Sequence, residues 1–190
     1  MTNTVSIDLD GTMVDTHGVV TKVMRSYLDN PKFIPTYYDP MDQDGISQQD
    51  RKFMKSLYMN ANVVAKADPI IGPSAVNFFK NSYTSYIITS RPADNYELTV
   101  YQCVKLFGMI PIVAMNVPKI EYYRILNVNV VIEDCAEQVN DVLENLTLLK
   151  KCFLFNRTYN SRFNFSHNYR VQRVDTWDEI IEGMIKMDGL

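Results

Sequence analysis

Short apolar runs alternate with longer amphipathic stretches along most of this chain. The first run, residues 5–9, leads into Asp10 and Gly11, which is typical of a buried strand that stops at a tight turn. Four further runs have the same strand-like character: residues 86–88, 110–115, 129–132 and 152–155. Because helical patterns separate these runs, the sequence predicts an α/β protein with a doubly wound parallel sheet.

The helical segments between the runs have recognisable ends. Asp94 followed by Glu97 predicts a capping box at the start of one helix, and Gly108 predicts its end, since glycine adopts a left-handed turn without steric cost. Apolar residues recur at helical spacing over residues 139–149, and Thr176 predicts the cap of a final helix. These helices are expected to cover the faces of the sheet.

Residues 16–69 interrupt the alternation because they contain no convincing strand. Two helical segments and a proline-containing loop make up this stretch: residues 19–28, 47–64 and 30–45. The pattern predicts an inserted helical unit, with the α/β core formed by residues 1–15 and 70–190. Residues 156–169 are rich in asparagine and are expected to form an exposed connection.

Composition and charge restrict the class of protein. A chain of 190 residues fits one domain or a domain with an insertion, and 46% hydrophobic residues can form a core. The net charge of −3 gives no general attraction to nucleic acid or to an anionic membrane. Because no stretch approaches the roughly 18 apolar residues of a transmembrane helix and the amino terminus lacks a basic start, the sequence predicts a cytoplasmic protein.

Cysteine and histidine offer little chemistry in this sequence. The three cysteines, Cys103, Cys135 and Cys152, have no short pairing motif, which indicates a reducing compartment. The two histidines, His17 and His167, lie at no metal-ligand spacing, which argues against a zinc site or a Ser-His-Asp hydrolase. Any catalysis is therefore expected to depend on carboxylates.

Two aspartates follow the first predicted strand. Asp8 and Asp10 are two residues apart, so an extended backbone places both side chains on one side, at the strand end where open α/β sheets bind ligands. Two hard oxygen donors at one point suit Mg²⁺, which keeps its other positions for water and phosphate. The structural alternative is an Asp-Gly turn with capping aspartates.

Other polar groups follow or precede later strands. Glu133 and Asp134 are expected at the same sheet edge as the first pair, and two acidic clusters there repel each other unless a cation lies between them. Residues 89–91 place a hydroxyl and backbone N–H groups at a strand end, where they can hold an anion. Lys119 stands alone after a proline. Each group also has a purely structural interpretation. The acidic pair can cap a helix, the segment that begins at Thr89 can be a polar turn before a helix, and Lys119 can be a solvated surface residue.

Together these residues resemble the motifs of the haloacid dehalogenase (HAD) superfamily of phosphatases, in the order that the superfamily uses. The matching positions, from the first motif to the fourth, are Asp8, Asp10 and Thr12; Thr89; Lys119; and Glu133 with Asp134. The resemblance implies a Rossmann-like doubly wound core, and residues 16–69 resemble the helical type-one cap of these enzymes. It also implies Mg²⁺-dependent hydrolysis of phosphate monoesters.

Within the superfamily, the chain resembles the 5′(3′)-deoxyribonucleotidase branch. The similarity lies in residues 154–160 and 171–180, although Asn156 and Thr158 depart from the pattern Phe-Asp-x-Pro-Tyr-Asn and Glu133 stands where relatives usually have aspartate. The resemblance implies a nucleotidase that acts on nucleoside monophosphates, in particular deoxyribonucleotides.

The resemblance also assigns roles to individual residues. Asp8 is the expected nucleophile, which forms an aspartyl-phosphate, and Asp10 is the expected acid and later base. Mg²⁺ would be held by Asp8, by the backbone carbonyl of Asp10 and by Asp134. Thr89 and Lys119 would hold the phosphoryl oxygens and stabilise the charge of the transition state.

The expected substrate contacts extend beyond these groups. Ser90 and Arg91 are expected at the phosphate together with Thr89 and Lys119, whereas the role of Glu133 is left open. Candidates for contact with a nucleobase or a second anionic group are Phe33, Tyr37, Tyr38, Phe53 and Tyr58, and Arg91, Arg157 and Arg162. Most of these aromatic residues are expected to fill the core of the cap, and surface ion pairs are the default for the arginines.

The sequence leaves other functions open. One is a phosphatase for another small phosphometabolite or for a 3′-phosphorylated nucleic-acid end, and another is a non-catalytic binding module with the same fold. The acidic net charge and a closing cap disfavour an extended nucleic acid. A membrane partner is not expected, and formation of a homodimer is left open.

Overall fold

Six parallel strands form one sheet at the centre of the protein. The computed structural model describes residues 3–114, 117–165 and 168–189. The strands are β1 (Thr4–Ile7), β2 (Thr84–Thr89), β3 (Ile112–Val113), β4 (Val130–Glu133), β5 (Lys151–Phe155) and β6 (Val171–Val174). They pair in parallel in the order β3-β2-β1-β4-β5-β6. This confirms the predicted Rossmann-like doubly wound sheet, whose order reverses between β1 and β4.

Helices cover both faces of this sheet. The helices of the described residues are α1 (Thr16–Tyr27), α2 (Gln48–Tyr58), α3 (Ala61–Val64), α4 (Pro73–Ser82), α5 (Tyr96–Phe107), α6 (Lys119–Ile125), α7 (Ala136–Asn145) and α8 (Trp177–Asp188). Helices α4, α5 and α8 bury apolar side chains against one face, among them Phe79, Phe107 and Met184. Helices α6 and α7 cover the other face with side chains such as Tyr123 and Val139. The sheet is therefore buried on both sides, as parallel sheets require.

Two helix ends agree with the sequence-based expectation. Gly108 follows α5 in the left-handed conformation with a φ of 61°, which glycine adopts without steric cost. The Thr176 side chain accepts a hydrogen bond from the backbone N–H of Glu179 at the start of α8.

The capping box predicted at Asp94 is wrong. A 3-10 turn, Ala93–Asn95, precedes α5, and the N-cap residue Asn95 makes no side-chain cap hydrogen bond. The Asn95 amide is used elsewhere, because it donates to the backbone carbonyl of Met59 at 3.2 Å. The Asn95 side chain thus binds the insertion instead of capping α5.

Some elements lack the sequence pattern that would reveal them. β6 was not predicted, since it lies at the sheet edge and three of its four residues are only partly buried. The ten-residue α4 and the seven-residue α6 were also missed. The apolar run over residues 110–115 forms only the two-residue β3. Met115, the last residue of that run, lies outside the described residues.

The insertion is helical, as expected. Helices α1, α2 and α3 pack around an apolar cluster of their own, whose buried members are Val20, Met24, Phe33, Met54 and Leu57. The helix predicted over residues 47–64 is two helices, because α2 ends at Tyr58 and the Asn60 side chain caps the start of α3. The two chain connections to the core lie side by side, with Val14 paired to Pro69. The domain bounds at residues 16 and 69 remain a prediction.

The connection over residues 156–169 is less exposed than predicted. A 3-10 turn, Thr158–Asn160, buries Tyr159 and Asn160. The Asn160 amide donates to the backbone carbonyls of Asp134 and Phe155, each at 2.7 Å, which explains this burial. His167 lies outside the described residues. Across the three described ranges, no helix combines the length and the apolar character needed to cross a membrane.

Candidate active site

The polar side chains predicted from the sequence converge at the carboxyl end of the sheet. Asp8 follows β1, Thr89 ends β2 and Glu133 ends β4. These strands are adjacent and parallel, so their ends meet at one edge beside the point where the strand order reverses. The seven-residue α6 begins with Lys119, whose side chain reaches the same edge.

Lys119 is buried between two carboxylates. Its Nζ atom lies 2.5 Å from Oδ1 of Asp8 and 2.7 Å from Oε1 of Glu133. Burial opposes the charged ammonium, but the two carboxylates outweigh it and raise the pKa of Lys119 well above its ordinary value. Burial raises the pKa of Asp8 well above the usual value for aspartate, although Lys119 opposes this shift. The pair is therefore a cation held against a strongly desolvated carboxyl group.

Three carboxyl groups form a cluster that could hold a cation. Oxygen atoms of Asp8, Glu133 and Asp134 all lie within 4.8 Å of one another, and all three residues are buried. Oε2 of Glu133 and Oδ1 of Asp134 have no hydrogen-bond partner. A buried carboxylate oxygen without a partner is costly, and a hard cation such as Mg²⁺ would satisfy both atoms. Glu133, whose role the sequence left open, is a member of this cluster, whereas the metal contact expected from the backbone carbonyl of Asp10 remains a prediction.

Gly11 allows the backbone to pass close to this cluster. Its φ is +78°, and a Cβ atom there would lie 1.9 Å from Oδ2 of Asp134 and 2.9 Å from the hydroxyl of Tyr159. Any other residue would therefore displace Asp134 or strain the turn. The same Asp134 oxygen accepts a hydrogen bond from Tyr159, and Nε2 of His17 lies 3.5 Å from it.

Asp10 is held by an arginine rather than by the acidic cluster. Arg91 donates from Nε to Oδ2 and from Nη2 to Oδ1 of Asp10, each at 2.8 Å, and Thr16 donates to the same carboxylate. Arg91 is only 5% exposed, and its Nη1 donates to Gln102 at 2.7 Å. The default of a surface ion pair is wrong for Arg91. Burial acts to raise the pKa of Asp10, but the Arg91 charge and hydrogen bonds lower it below its ordinary value.

Thr89 and Ser90 border the space next to Asp10. The Thr89 hydroxyl accepts a hydrogen bond from the backbone N–H of Arg91 at 3.3 Å. Thr89 is buried and Ser90 is exposed. Both line one cavity with Asp8, Asp10 and Lys119. The structure therefore brings together every side chain that the sequence placed at the phosphate.

The cavity lies between this sheet edge and the insertion and has a volume of about 260 Å³. From the insertion, His17, Tyr38, Lys55, Tyr58 and Met59 contribute to its wall. A hydrogen bond of 2.7 Å joins Nδ1 of His17 to the Tyr58 hydroxyl. The cavity thus combines carboxylates and cations on the core side with aromatic and apolar surface on the other.

The other aromatic and arginine candidates do not line this cavity. Phe33 and Phe53 pack in the apolar cluster of the insertion. The Tyr37 hydroxyl donates a hydrogen bond to Asp44, and the Arg162 guanidinium lies over the Tyr37 ring, 4.6 Å from the ring centroid. Arg157 instead supports the turn after β1, since its Nε and Nη2 both donate to the Gly11 carbonyl, at 3.1 and 2.5 Å.

Comparisons with known proteins agree with this architecture. No family model and no curated protein matches the chain by sequence. Among solved structures, a predicted phosphatase from Clostridium acetobutylicum superposes with a TM-score of 0.63 and 16% identity, covering 98% of this chain and 99% of that chain. A HAD family hydrolase from Deinococcus radiodurans R1, with bound phosphate and sodium, superposes with a TM-score of 0.63 and 14% identity, covering 98% of this chain and 96% of that chain. A 2-haloacid dehalogenase from Pseudomonas syringae pv. Tomato superposes with a TM-score of 0.58 and 12% identity, covering 98% of this chain and 100% of that chain.

The chain has the fold of the HAD hydrolases. Identities of 12–16% show the fold alone, and the neighbours include both a phosphatase and a dehalogenase. The reaction must therefore be argued from the side chains at the cavity.

Within this HAD fold, sequence analysis missed several groups that support the site. Gln102 and Thr16 orient the Arg91–Asp10 pair, while Tyr159 and His17 contact Asp134. Asn160 holds the Asp134 backbone. Residues 154–160 resemble a nucleotidase motif, but this resemblance gives no indication that the side chains of Tyr159 and Asn160 contact Asp134.

Proposed function

We propose that this protein is a Mg²⁺-dependent phosphomonoesterase that hydrolyses small phosphate esters, in particular nucleoside monophosphates. The observation that carries the proposal is the cavity in which the buried Asp8–Lys119 pair lies beside the Arg91-bound Asp10. The phosphatase and phosphate-bound hydrolase among the neighbours of this fold support it. Cytoplasmic location and the nucleotide specificity are parts of the same proposal.

Asp8 is the proposed nucleophile. Its carboxylate oxygen attacks phosphorus, the bond between phosphorus and the leaving oxygen breaks, and an aspartyl-phosphate forms on Asp8. Lys119 contacts the same carboxyl group and, with the Thr89 hydroxyl, can stabilise negative charge that develops on the phosphoryl oxygens. Burial of Asp8, which is only 6% exposed, limits contact between the nucleophile and water.

Asp10 is the proposed acid and base. It gives a proton to the departing alkoxide, and then takes a proton from the water whose oxygen attacks the aspartyl-phosphate and releases Asp8. Arg91 keeps Asp10 ionised in the free protein, because it lowers the pKa of that carboxyl group. A dianionic phosphate in the cavity opposes this effect and favours uptake of the proton that the first step uses.

The acidic cluster fits a divalent cation. Asp8 and Asp134 are the proposed side-chain ligands, with the backbone carbonyl of Asp10, and the unpartnered Oε2 of Glu133 adds a further donor. Oxygen ligands of this kind suit Mg²⁺. When bound, the cation would neutralise the repulsion between a dianionic phosphate and the Asp8 carboxylate.

The insertion side of the cavity favours a small ester with a ring. Tyr38 and Tyr58 line it, so one or two stacking contacts with a nucleobase are expected, as is an apolar contact with Met59. A volume of about 260 Å³ is near the lower limit of small-molecule pockets and is too small for a polymer. Another small phosphometabolite is the second candidate, since the same surface accepts any compact apolar group.

The deciding experiment is phosphate release from a panel of 5′- and 3′-nucleoside monophosphates and sugar phosphates, with Mg²⁺ and with excess chelator. The proposal predicts release that requires the metal and is fastest with deoxyribonucleotides. Metal-dependent release that is fastest with a sugar phosphate would replace the nucleotide assignment by the second candidate. No release from any ester would contradict the enzymatic proposal and favour a binding module.

The Arg91–Asp10 pair provides a pH test. In an Arg91→Lys variant the charge remains but the two-point contact is lost, so the pKa of Asp10 is expected to rise. If Asp10 acts as the base in hydrolysis of the aspartyl-phosphate, the acidic limb of the kcat profile should move to higher pH and kcat should fall about tenfold or more. Arg124→Lys, at an exposed ion pair of 2.6 Å with Glu121, is the control and should leave the profile unchanged. An unshifted acidic limb in Arg91→Lys would contradict the role given to Asp10.

A further inference from the structure

The outward face of α5 is unusually apolar for a helix at the protein surface. Its exposed large apolar side chains are Leu98, Tyr101 and Val104. Tyr101 is 61% exposed and Val104 is 47% exposed. Outward helix faces usually carry polar residues, and a contiguous apolar surface of this kind indicates a contact with another molecule.

The residues of this face form a symmetrical pattern about Tyr101. Leu98 and Val104 lie three positions before and after it, on the same side of the helix. The exposed charged residues four positions away on each side, Glu97 and Lys105, have opposite signs. We call these five residues the α5 face: Glu97, Leu98, Tyr101, Val104 and Lys105.

Such a pattern is complementary to a second copy of itself. When two identical helices cross antiparallel about a two-fold axis, positions equally far before and after the crossing residue lie at the same level. A crossing at Tyr101 therefore puts each apolar residue level with an apolar residue. It also puts Glu97 level with Lys105 of the partner subunit, twice in each dimer.

We propose that the α5 face is the interface of a homodimer in which two α5 helices cross antiparallel at Tyr101. The two charges are available for this contact. Within the described ranges Glu97 forms no ion pair, and the Lys105 ammonium lies over the Tyr101 ring, 5.6 Å from its centroid. A partner of unrelated chemistry would not require opposite charges at equal distances from the central tyrosine, whereas a second copy does.

The interface leaves the proposed active site free. None of the five residues lines the cavity, and the buried face of α5 contributes Gln102, which accepts a hydrogen bond from Arg91. One helix face per subunit gives an interface near or below the lower limit of stable complexes, about 1,200 Å² in total. A dimer that dissociates in the micromolar range is therefore expected, and it does not depend on the proposed catalytic function.

Sedimentation equilibrium of the full chain, from about 1 to 500 μM, tests the proposal. The wild-type protein should pass from monomer to dimer, and Tyr101→Glu should weaken dimerisation more than tenfold, because a buried central aromatic contributes most to such contacts. Tyr169→Glu, at a residue that is 87% exposed beside the start of β6, is the control and should dimerise like the wild type.

Charge exchange makes the test specific to this geometry. Glu97→Lys and Lys105→Glu should each weaken the dimer more than tenfold, since each places like charges at two symmetrical positions. The double variant Glu97→Lys/Lys105→Glu should dimerise again. A wild-type protein that stays monomeric, a dimer that survives Tyr101→Glu, or a double variant that stays monomeric while folded by circular dichroism would each overturn the proposal. If Tyr101→Glu does not fold, the charge variants decide alone.

Discussion

Replacement of Asp8 by asparagine is expected to lower kcat for phosphate release by at least about 10⁴-fold. The amide has nearly the same shape but cannot act as the nucleophile, so the aspartyl-phosphate does not form. The comparison is made on the ester that the wild-type protein hydrolyses fastest, with Mg²⁺ at saturation. Asp94→Asn, at an exposed residue outside the insertion, is the control and should keep wild-type activity.

The same variant separates loss of chemistry from loss of folding. Burial raises the pKa of Asp8 in the folded protein, so ionisation of this group at neutral pH opposes folding. Because the pKa is raised, protonated Asp8 stabilises the folded protein fully when the pH is below the pKa that this aspartate has in the unfolded chain. This stabilisation is lost as the pH rises through the pKa of Asp8 in the folded protein. Without metal, Asp8→Asn should therefore be no less stable than the wild type near neutral pH. A folded Asp8→Asn protein with near wild-type activity would refute the nucleophile assignment.

The central strands and the acidic edge were predictable because their signals are local. Strands β1 and β4 are buried on both faces and appear as continuous apolar runs, and the acids follow directly after them. The parallel arrangement then brings Asp8 and Glu133 to one edge without further information. The sixth strand was not predictable in this way, because an edge strand with polar Gln172 and Arg173 carries no such run.

The orientation of the carboxylates at the candidate site was not predictable, because it depends on contacts distant in sequence. Arg91 and Asp10 are separated by 81 positions, and Tyr159 and Asp134 by 25. No periodicity or spacing in the chain links such residues. Only the folded structure shows that Arg91 is bound to both Asp10 and Gln102.

Two layers of support surround the turn after β1. Arg157 holds the Gly11 carbonyl, and its guanidinium lies 5.0 Å from the centroid of the Phe155 ring at the end of β5. Arg173, on β6, donates to the backbone carbonyl of Asn160 at 2.7 Å. Strands β5 and β6, which carry none of the proposed catalytic side chains, thus help to hold the backbone near Asp10 and Asp134.

Replacement of Lys119 by methionine is expected to have the largest combined effect on stability and activity. It removes the cation between Asp8 and Glu133 while three buried carboxyl groups remain, and loss of one partner of a buried ion pair costs about 3–5 kcal/mol of unfolding free energy. Because the pKa of Lys119 is raised in the folded protein, its contribution to the free energy of unfolding is fully present when the pH is below the ordinary lysine pKa. That contribution is lost only as the pH rises through the higher pKa of the folded protein. Urea unfolding at neutral pH without metal measures this loss.

Three comparisons make this prediction specific. Lys55→Met, at a half-exposed lysine that also lines the cavity, should leave the free energy of unfolding unchanged. Adding Glu133→Gln to Lys119→Met should recover part of the stability, because it removes one of the uncompensated charges. Mg²⁺ should stabilise Lys119→Met more than the wild type, since the cation then faces the acidic cluster without competition from the lysine. Equal stability of Lys119→Met and the wild type at neutral pH would show that the carboxyl groups are already protonated there, and would remove the electrostatic basis of the proposed site.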